Sequence, residues 1–459
     1  MEHDYDVIVV GSGAAGLAAA VSAADEGASV LIVEADTRVG GSSRLSGGHF
    51  YAAGTSLQQN AGVDDGPDAM FEHYMTLNQW LVEPSVVRKY CDLSAPSFEW
   101  LMGLGVEFEP EGLYRSGVGS TPRGHQPTGG GEQVVNTLDA HRQQRGVDIV
   151  LDSRVDGLLT DDAGAVCGIR IGEDQATAGA VVLATGGFGA NSDMLEELYP
   201  NAAANGDWSW YIGTDHAQGD GLKLGQAAGA AIDGHNRGLL LVTPGFSRDL
   251  EVLLPGWLIV VNEAGRRFCN ETAPYTVLAG LMKHQGGKVY AIFDEGARAA
   301  AKPNPASQAY WVNEVLERKA NDGIIARADS LEALAAEVGI HAEALKGTIA
   351  HYNVDCAAGE DTKFFKPAQT GMRPIVEPPF YAAEVRPAII CWTGTGLRID
   401  ADARVIGQDE QPIPGLYAAG ETVGSLHGDR YIGGGGSYGP CIVFGKLAGA
   451  NAALTSKGN

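Results

Sequence analysis

Three glycines near the start of the chain, Gly11, Gly13 and Gly16, follow the apolar run Val7 to Val10 and open an alanine-rich segment. Glu34 stands about 20 residues further on. Glycine at the first position permits a tight turn, at the second it lets a pyrophosphate approach backbone N–H groups at a helix start, and at the third it lets helix and strand pack closely. A carboxylate at the Glu34 spacing can accept hydrogen bonds from both ribose hydroxyls of an adenosine and disfavours a 2′-phosphate, so the chemistry is dinucleotide binding without NADP. Glycines alone are weak evidence; strand, helix and acid at the required distances are specific together. The run Val39-Gly40-Gly41-Ser42-Ser43-Arg44-Leu45-Ser46-Gly47-Gly48 would lay N–H groups and hydroxyls along a pyrophosphate and a flavin edge, although a flexible linker has a similar composition. Two segments weigh against the linker: Ala180-Val181-Val182-Leu183-Ala184-Thr185-Gly186-Gly187 and Pro414-Gly415-Leu416-Tyr417-Ala418-Ala419-Gly420-Glu421 each read as a buried strand ending in a glycine turn.

The elements that must position these groups are readable in part. Val7 to Val10 suits a parallel strand buried on both faces. Ala14 to Glu26 reads as a helix with Gly27 at its C-terminal cap, and Ser29 to Val33 as a second strand, which makes a βαβ unit. Pro440 suits the first turn of a helix running to Ala453, so the helix N-terminus follows the loop Gly433 to Gly439. Ser307 to Lys319 and Ser330 to Ala358 read as amphipathic helices. The 459 residues allow two or three domains with a large core. Their 44% apolar and 19% charged content is that of a globular protein. The 64 glycines, roughly twice the usual share, call for loops where backbone approaches something closely. A net charge of −25 repels nucleic acid and anionic lipid, and apolar runs such as Trp257 to Val261 are too short to span a bilayer. No basic stretch precedes an apolar one after Met1. The cysteines Cys91, Cys167, Cys269, Cys356, Cys391 and Cys441 are too scattered for a disulfide framework, a zinc knuckle or a CxxCH haem site. The expectation is a cytoplasmic protein with no metal.

In this order, the GxGxxG with Glu34, GGSSRLSGG, the ATGG strand, Asn262-Glu263-Ala264-Gly265-Arg266-Arg267-Phe268-Cys269-Asn270-Glu271, PGLYAAGE and the closing GGGGSYGPCIVFGKLAG resemble the FAD-dependent fumarate reductase and 3-ketosteroid dehydrogenase flavoproteins over nearly the whole chain. The resemblance implies an α/β fold: a discontinuous Rossmann-like FAD-binding domain, residues 1–240 and 390–459, with an inserted α+β capping domain, residues 241–389. It implies tight, noncovalent FAD held by Gly11, Gly13, Ala14, Ala15, Gly16, Glu34, Ala35, Gly40, Gly41, Ser42, Ser43, Ser46, Gly47, Gly48, Val155, Ala184, Thr185, Gly186, Asp220, Gly420, Glu421, Gly436 and Ser437. It also aims the N-terminus of the last helix at flavin N1 and the C2 carbonyl, where charge appears on reduction.

Within that family a proton-handling residue separates the branches. Fumarate reductases carry an arginine shortly after the NE of the cap segment, whereas Asn270-Glu271-Thr272-Ala273-Pro274-Tyr275 puts Tyr275 where the steroid dehydrogenases have a catalytic tyrosine. In Asp429-Arg430-Tyr431-Ile432-Gly433-Gly434-Gly435-Gly436, Tyr431 takes the place of an arginine that grips a carboxylate. Tyr431 and Gly435 resemble a Tyr-x-x-x-Gly whose hydroxyl and N–H bind a ketone oxygen. Cys391-Trp392-Thr393-Gly394 replaces a histidine pair of the reductases, and Ser437 and Tyr438 are further candidates for touching flavin or substrate. The leading implication is a dehydrogenase that introduces a C=C bond beside the ketone of a 3-ketosteroid, at the 1,2 or 4,5 position, with hydride passing to flavin N5 and the proton to Tyr275. The alternative is an enoate reductase of the fumarate or urocanate type acting on a small unsaturated acid, with Arg430 keeping an anion grip through a one-residue shift. A third is a binding protein that inherits the flavin fold without turnover. Among 15 tyrosines any one is commonly a core residue with a satisfied hydroxyl, and His125 reads as structural rather than catalytic. The partners expected are an apolar ketone and a separate electron acceptor, because no haem or iron–sulfur motif is present.

Overall fold

The computed structural model describes residues 3–250, 253–303, 310–428 and 430–458. Asp429 and the Ser307 start of one expected helix lie outside the described residues. The chain divides into two compact units, one comprising Met1–Ala204, Tyr211–Leu239 and Cys391–Asn459, the other Asn205–Trp210 and Leu240–Ile390. The short segment Asn205–Trp210, expected in the flavin stretch, goes with the second unit.

In the first unit the N-terminal apolar run forms β1 (Tyr5–Val10), α1 (Ala14–Asp25) follows the glycine turn, and β2 is Val30–Val33. Strand β1 lies between β2 and the strand Asp174–Leu183, parallel to both, with Val7 opposite Val30 and Ala180. The main sheet order is Arg404–Ile406, Pro412–Ala418, Asp174–Leu183, β1, β2, Asp148–Val150, parallel along this path except at the Arg404–Ile406 edge, and the strands Val166–Ile171 and Gly157–Thr160 extend it antiparallel from Asp174–Leu183. A parallel sheet needs cover on its faces. Helix α1 and the helix Tyr438–Gly458 contribute to it, packed so closely that a Cβ at Gly445 or Gly449 would overlap the backbone of Ala15 or Ala19. That last helix begins at Tyr438 and runs past the expected Ala453 end. A smaller antiparallel sheet joins Phe50–Tyr51, Pro122–Pro127 and Phe108–Arg115, with Phe50 opposite His125 and Tyr114 opposite Gly124.

The second unit is built on an antiparallel sheet ordered Ile259–Asn262, Val289–Asp294, Phe380–Glu384, Ala326–Ala328. Strand alternation sends Val260, Ala291, Phe293 and Tyr381 into one apolar cluster with Trp311 and Leu316, and Ile259, Val261, Ile292 and Phe380 into another with Leu334, Leu345 and Ile349. The expected helix Ser330–Ala358 is two helices, Leu331–Val338 and Ala342–Ala358, capped by Ser330 and His341. The chain turns at Gly339, φ 76°, while Ile340 stays buried, so the apolar periodicity continues through the break. The helix expected to end at Lys319 spans Asn313–Asn321. The NEAGRRFCNE segment supplies two of the unit's buried charges, Arg267 and Glu271. Arg267 donates to Glu271 at 2.9 Å and to Asp361 at 2.8 and 3.2 Å, while Lys366 Nζ lies 3.0 Å from Glu271 and donates to the Leu258 carbonyl. Burial opposes ionisation of Asp361, yet the hydrogen bonds and charge of Arg267 prevail and hold its pKa down at about 2. Among the described residues no helix is long and apolar enough to cross a membrane.

Candidate active site

A cleft enclosing about 820 Å³, open mouth included, runs through the first unit from Glu34 and Ala35 past the start of α1 to Gly420, Glu421 and Cys441. Its geometry follows from the glycines. Gly11 has φ 101° and faces Ala184 so tightly that no Cβ fits, and a Cβ on Gly16 would overlap the Gly11 carbonyl. Gly13 is the N-cap of α1 and brings no capping side chain of its own, while Ser43 Oγ accepts the Ala14 N–H at 3.0 Å. This is an anion cradle at a positive helix end. Glu34, 6% exposed, accepts from Ser12 N–H at 2.7 Å, Ser12 Oγ at 2.6 Å and Asp36 N–H at 2.8 Å. It therefore ties the glycine turn to the turn after β2 while forming the end wall where a ribose would sit.

Gly11, Gly13, Ala14, Ala15, Glu34, Ala35, Gly41, Ser42, Ser43, Val155, Ala184, Thr185, Gly186, Asp220, Gly420 and Glu421 all line this cleft. The other residues expected to hold the cofactor stand behind or beside it. Gly16 packs on Gly11, Gly40 on Val135, Gly47 on His49 and Gly48 on the backbone of Gly130 and Gly131, while Ser46 Oγ donates to the Ser43 carbonyl. Gly436 and Ser437 belong to the loop before the last helix. Ser12, Ser153, Arg154, Thr214, His216 and Cys441 also line the cleft and were not anticipated. Arg154 pairs with Asp220 and lies 3.3 Å from His216 Nδ1. No local spacing announces such long-range partners. The glycine N-cap of α1, the cradle that leaves no room for side chains and the carboxylate wall fit FAD, whose pyrophosphate would suit the helix start at Gly13 and whose adenosine would suit Glu34.

At the far end, Glu421 accepts from Thr393 N–H and Oγ1, both at 2.8 Å, and from Tyr211 OH at 3.4 Å. Gly187 explains the last residue of ATGG: a Cβ there would overlap Thr393 Oγ1 and Glu421 Oε1. Burial outweighs these hydrogen bonds and raises the Glu421 carboxyl to about 7.

The glycine loop Gly433–Gly436 forms a second polar centre within the same unit. Tyr431 OH accepts the Ser437 N–H at 3.0 Å and is 3.0 Å from Ser437 Oγ, so the side chain is braced across the start of the last helix. Its ring stacks at 6.0 Å on His427, which meets Trp392 edge-on at 4.0 Å. Burial raises the Tyr431 phenol and pushes His427 down to about 3, leaving both neutral at pH 7. Gly435, φ 93°, packs against the backbone of Phe50 and Tyr51. Tyr438 is 7% exposed and its hydroxyl has no hydrogen-bond partner among the described residues. Sequence reasoning missed His49, Tyr114 and Ser116. His49 Nδ1 meets Tyr114 OH, Ser116 Oγ accepts the Gly434 N–H, and a Cβ on Gly434 would overlap the Tyr114 hydroxyl. Burial lifts Tyr114 to about 12 and lowers His49. His125 is structural: Nε2 is 2.8 Å from Thr55 Oγ1 and Nδ1 is 2.9 Å from the Arg123 carbonyl. Tyr275 is in the second unit, half-buried, as the first residue of the helix Tyr275–Lys283.

A family model described as an FAD binding domain matches residues 6–437. The chain is 35% identical over 479 residues to a fumarate reductase (cytochrome) of Shewanella frigidimarina, an alignment covering all of this chain and 78% of that protein. Among solved structures, the 3-ketosteroid-delta4-(5alpha)-dehydrogenase of Rhodococcus jostii RHA1 in complex with 4-androstene-3,17-dione superposes with a TM-score of 0.80 at 28% identity, covering 99% of this chain and 98% of that one. The 3-ketosteroid delta1-dehydrogenase of Sterolibacterium denitrificans gives 0.82 at 25% identity, covering 98% and 99%. With the α/β cleft, its helix-start cradle and these likenesses in agreement, the chain belongs to the FAD-binding-domain family of flavoproteins, its cofactor is FAD, and it is an FAD-dependent oxidoreductase.

Proposed function

We propose that the protein acts on CH–CH bonds as a reductase of a C=C bond conjugated to an uncharged carbonyl. The kinship with a fumarate reductase at 35% identity supports the direction and class of the reaction. The observation that carries the substrate class is the neutral character of the glycine-loop centre: Tyr431 braced by Ser437, with His427, His49 and Tyr114 held neutral by burial. A carboxylate desolvated against such groups costs several kcal/mol unless a cation compensates it. A carbonyl oxygen has no such penalty and is served by hydroxyl and N–H donors.

Bound FAD supplies the two-electron hydride donor or acceptor. The Tyr431 hydroxyl and the Gly435 N–H would hold the carbonyl oxygen, and donors placed there stabilise the negative charge that develops on it during transfer. On the sequence resemblance Tyr275 would be the proton source for the neighbouring carbon. Tyr114, hydrogen-bonded to His49 beside the loop, is the second hydroxyl with that capacity. Whichever of Tyr275→Phe and Tyr114→Phe lowers kcat by about 100-fold to 10,000-fold carries the proton; no loss in either variant removes both.

Desaturation of a 3-ketosteroid is the second reading, favoured by the near-complete superposition on two steroid dehydrogenases and by tyrosine at positions 275 and 431. Anaerobic half-reactions separate the readings. Dithionite-reduced enzyme is mixed with fumarate, urocanate or a neutral enone, oxidised enzyme with a saturated 3-ketosteroid, and the flavin absorbance is followed. Reoxidation by the enone at least about 100-fold faster than by fumarate supports the proposal, as expected for some 3 kcal/mol of discrimination. Equal or faster reaction with fumarate overturns it and returns the anion grip to Arg430. Bleaching by the saturated steroid alone selects the second reading.

A further inference from the structure

Glu421 is an acid in the wall of the flavin cleft, with no ion-pair partner among the described residues. Its Oε1 accepts from Thr393 N–H and Oγ1, and its Oε2 accepts from Tyr211 OH. Tyr211 in turn lies 3.3 Å from Ser42 Oγ, which accepts the Thr214 N–H at 3.1 Å. Ser42, Thr214 and Glu421 all line the cleft, so this hydrogen-bonded chain runs along it. The site is built to admit that chain. Gly187 leaves room for the Glu421 and Thr393 oxygens, and the Tyr211 ring fills space between Gly189 and Gly213 where no Cβ would fit.

Among the described residues, the groups in contact with the carboxyl are uncharged. Thr393 comes from the strand Arg386–Thr393 and Tyr211 from the end of the strand Trp210–Tyr211, its phenol pushed far up by burial. The thiols of Cys391 and of Cys441, at the start of the last helix, are both pushed up to about 12 by burial. The ionic groups of the same cleft are engaged elsewhere, Arg154 with Asp220, and among the described residues no cation forms an ion pair with Glu421. A buried carboxyl supported only by neutral donors changes protonation state in response to a charge arriving nearby.

We propose that Glu421 is a redox-linked proton site of the flavin cleft, taking up one proton when the cofactor is reduced and releasing it on reoxidation, with Tyr211 and Ser42 as its hydrogen-bonded contacts. The balance is simple. Two electrons from a donor such as dithionite, with one proton, leave the cofactor one negative charge richer. Glu421–COO⁻ plus H⁺ gives Glu421–COOH, which offsets that charge. The carboxyl, raised by burial to about 7 before reduction, is poised to respond near neutral pH. This inference concerns the cofactor, so it holds or fails whatever the substrate proves to be.

The test is the midpoint potential of the FAD-loaded protein, titrated from about pH 6 to about pH 9, a range that brackets the raised carboxyl. Above about pH 7 the wild type should show a slope steeper than Glu421→Gln by about 30 mV per pH unit, the value for one additional proton per two electrons. Below that pH the two slopes should converge, because the carboxyl is then protonated in both redox states. Equal slopes throughout overturn the proposal. Tyr211→Phe keeps the carboxyl but removes a donor that favours its ionised form, so the step in slope should move to higher pH. An unmoved step overturns the proposal even if the glutamine variant fails to retain FAD. In FAD-free protein, an infrared carboxylic C=O band that titrates near neutrality and is absent from Glu421→Gln supplies a readout independent of the cofactor; its absence from the wild type counts against the proposal.

Discussion

The two units bury polar groups in opposite ways. In the second unit two cations and two carboxylates, Arg267, Lys366, Glu271 and Asp361, are packed at 0–2% side-chain exposure, with the guanidinium lying over the rings of Tyr352 and Phe364. Charge there is balanced and fully hydrogen-bonded, an arrangement that rigidifies and does not readily exchange protons. Around the glycine loop and at the far end of the flavin cleft, Tyr431, His427, Tyr114 and Glu421 are enclosed with no ion-pair partner among the described residues, and burial moves each toward its neutral form. Balanced charge makes a scaffold, whereas proton-bearing neutral groups make a place where charge can appear.

The contrast can be broken most forcefully at Glu271. Glu271→Gln leaves Arg267 and Lys366 facing one carboxylate in a dry interior, so stability should fall by about 3–5 kcal/mol, read from denaturant unfolding. A loss below about 1 kcal/mol would mean that water or rearrangement already compensates the network. Tyr431→Phe should do the reverse, keeping the fold and costing about 2.7–4 kcal/mol of barrier if its hydroxyl acts as one oxyanion donor. An unchanged kcat on a confirmed substrate would shift that role to Ser437 or Tyr438. Glu34→Ala should weaken FAD retention by about 1.5 kcal/mol, roughly tenfold in Kd, with no change in substrate position, measured by flavin fluorescence on dilution.

Acid should divide the units. His427 and His125 are depressed to about 3 and about 4, so the unfolded chain binds their protons first and their joint contribution to first-unit stability falls as pH drops below about 6.5, outweighing the smaller opposite contribution of Glu421, which is raised to about 7. Asp361 is depressed to about 2, so its contribution is intact above about pH 4 and is lost only as pH falls toward 2. FAD release should therefore precede the loss of second-unit structure on acidification. Simultaneous transitions, by flavin fluorescence and by hydrogen exchange in strands Ile259–Asn262 and Val289–Asp294, would remove the distinction.

How much of this was readable in the chain depends on how local each cause is. Gly11, Gly16 and Glu34 act within one βαβ unit, and their spacing alone placed them. Gly187 is required by Thr393 and Glu421, which come from segments distant in sequence, so ATGG could be recognised but not explained. His49 and Tyr114 meet because Phe50–Tyr51 and Phe108–Arg115 both pair with Pro122–Pro127, a topology invisible to spacing. The break at Gly339 was hidden because Ile340 continues the apolar pattern across it. The loop tyrosines pointed toward the steroid branch, while identity along the whole chain lies nearer a reductase, since a few positions set the substrate and the remainder record descent.

The glycine seam between α1 and the last helix also bears on how the chain is made. Gly445 and Gly449 dock on Ala15 and Ala19, and strand Pro412–Ala418 joins the central sheet beside Asp174–Leu183, so the first unit gains both only after residues 240–390 have left the ribosome. Until then β1 and its neighbours expose an apolar face with part of its cover missing, while the second unit has everything needed for its own core. During synthesis the later-numbered unit can fold first, and the N-terminal half keeps aggregation-prone apolar surface exposed until the last helix closes over it.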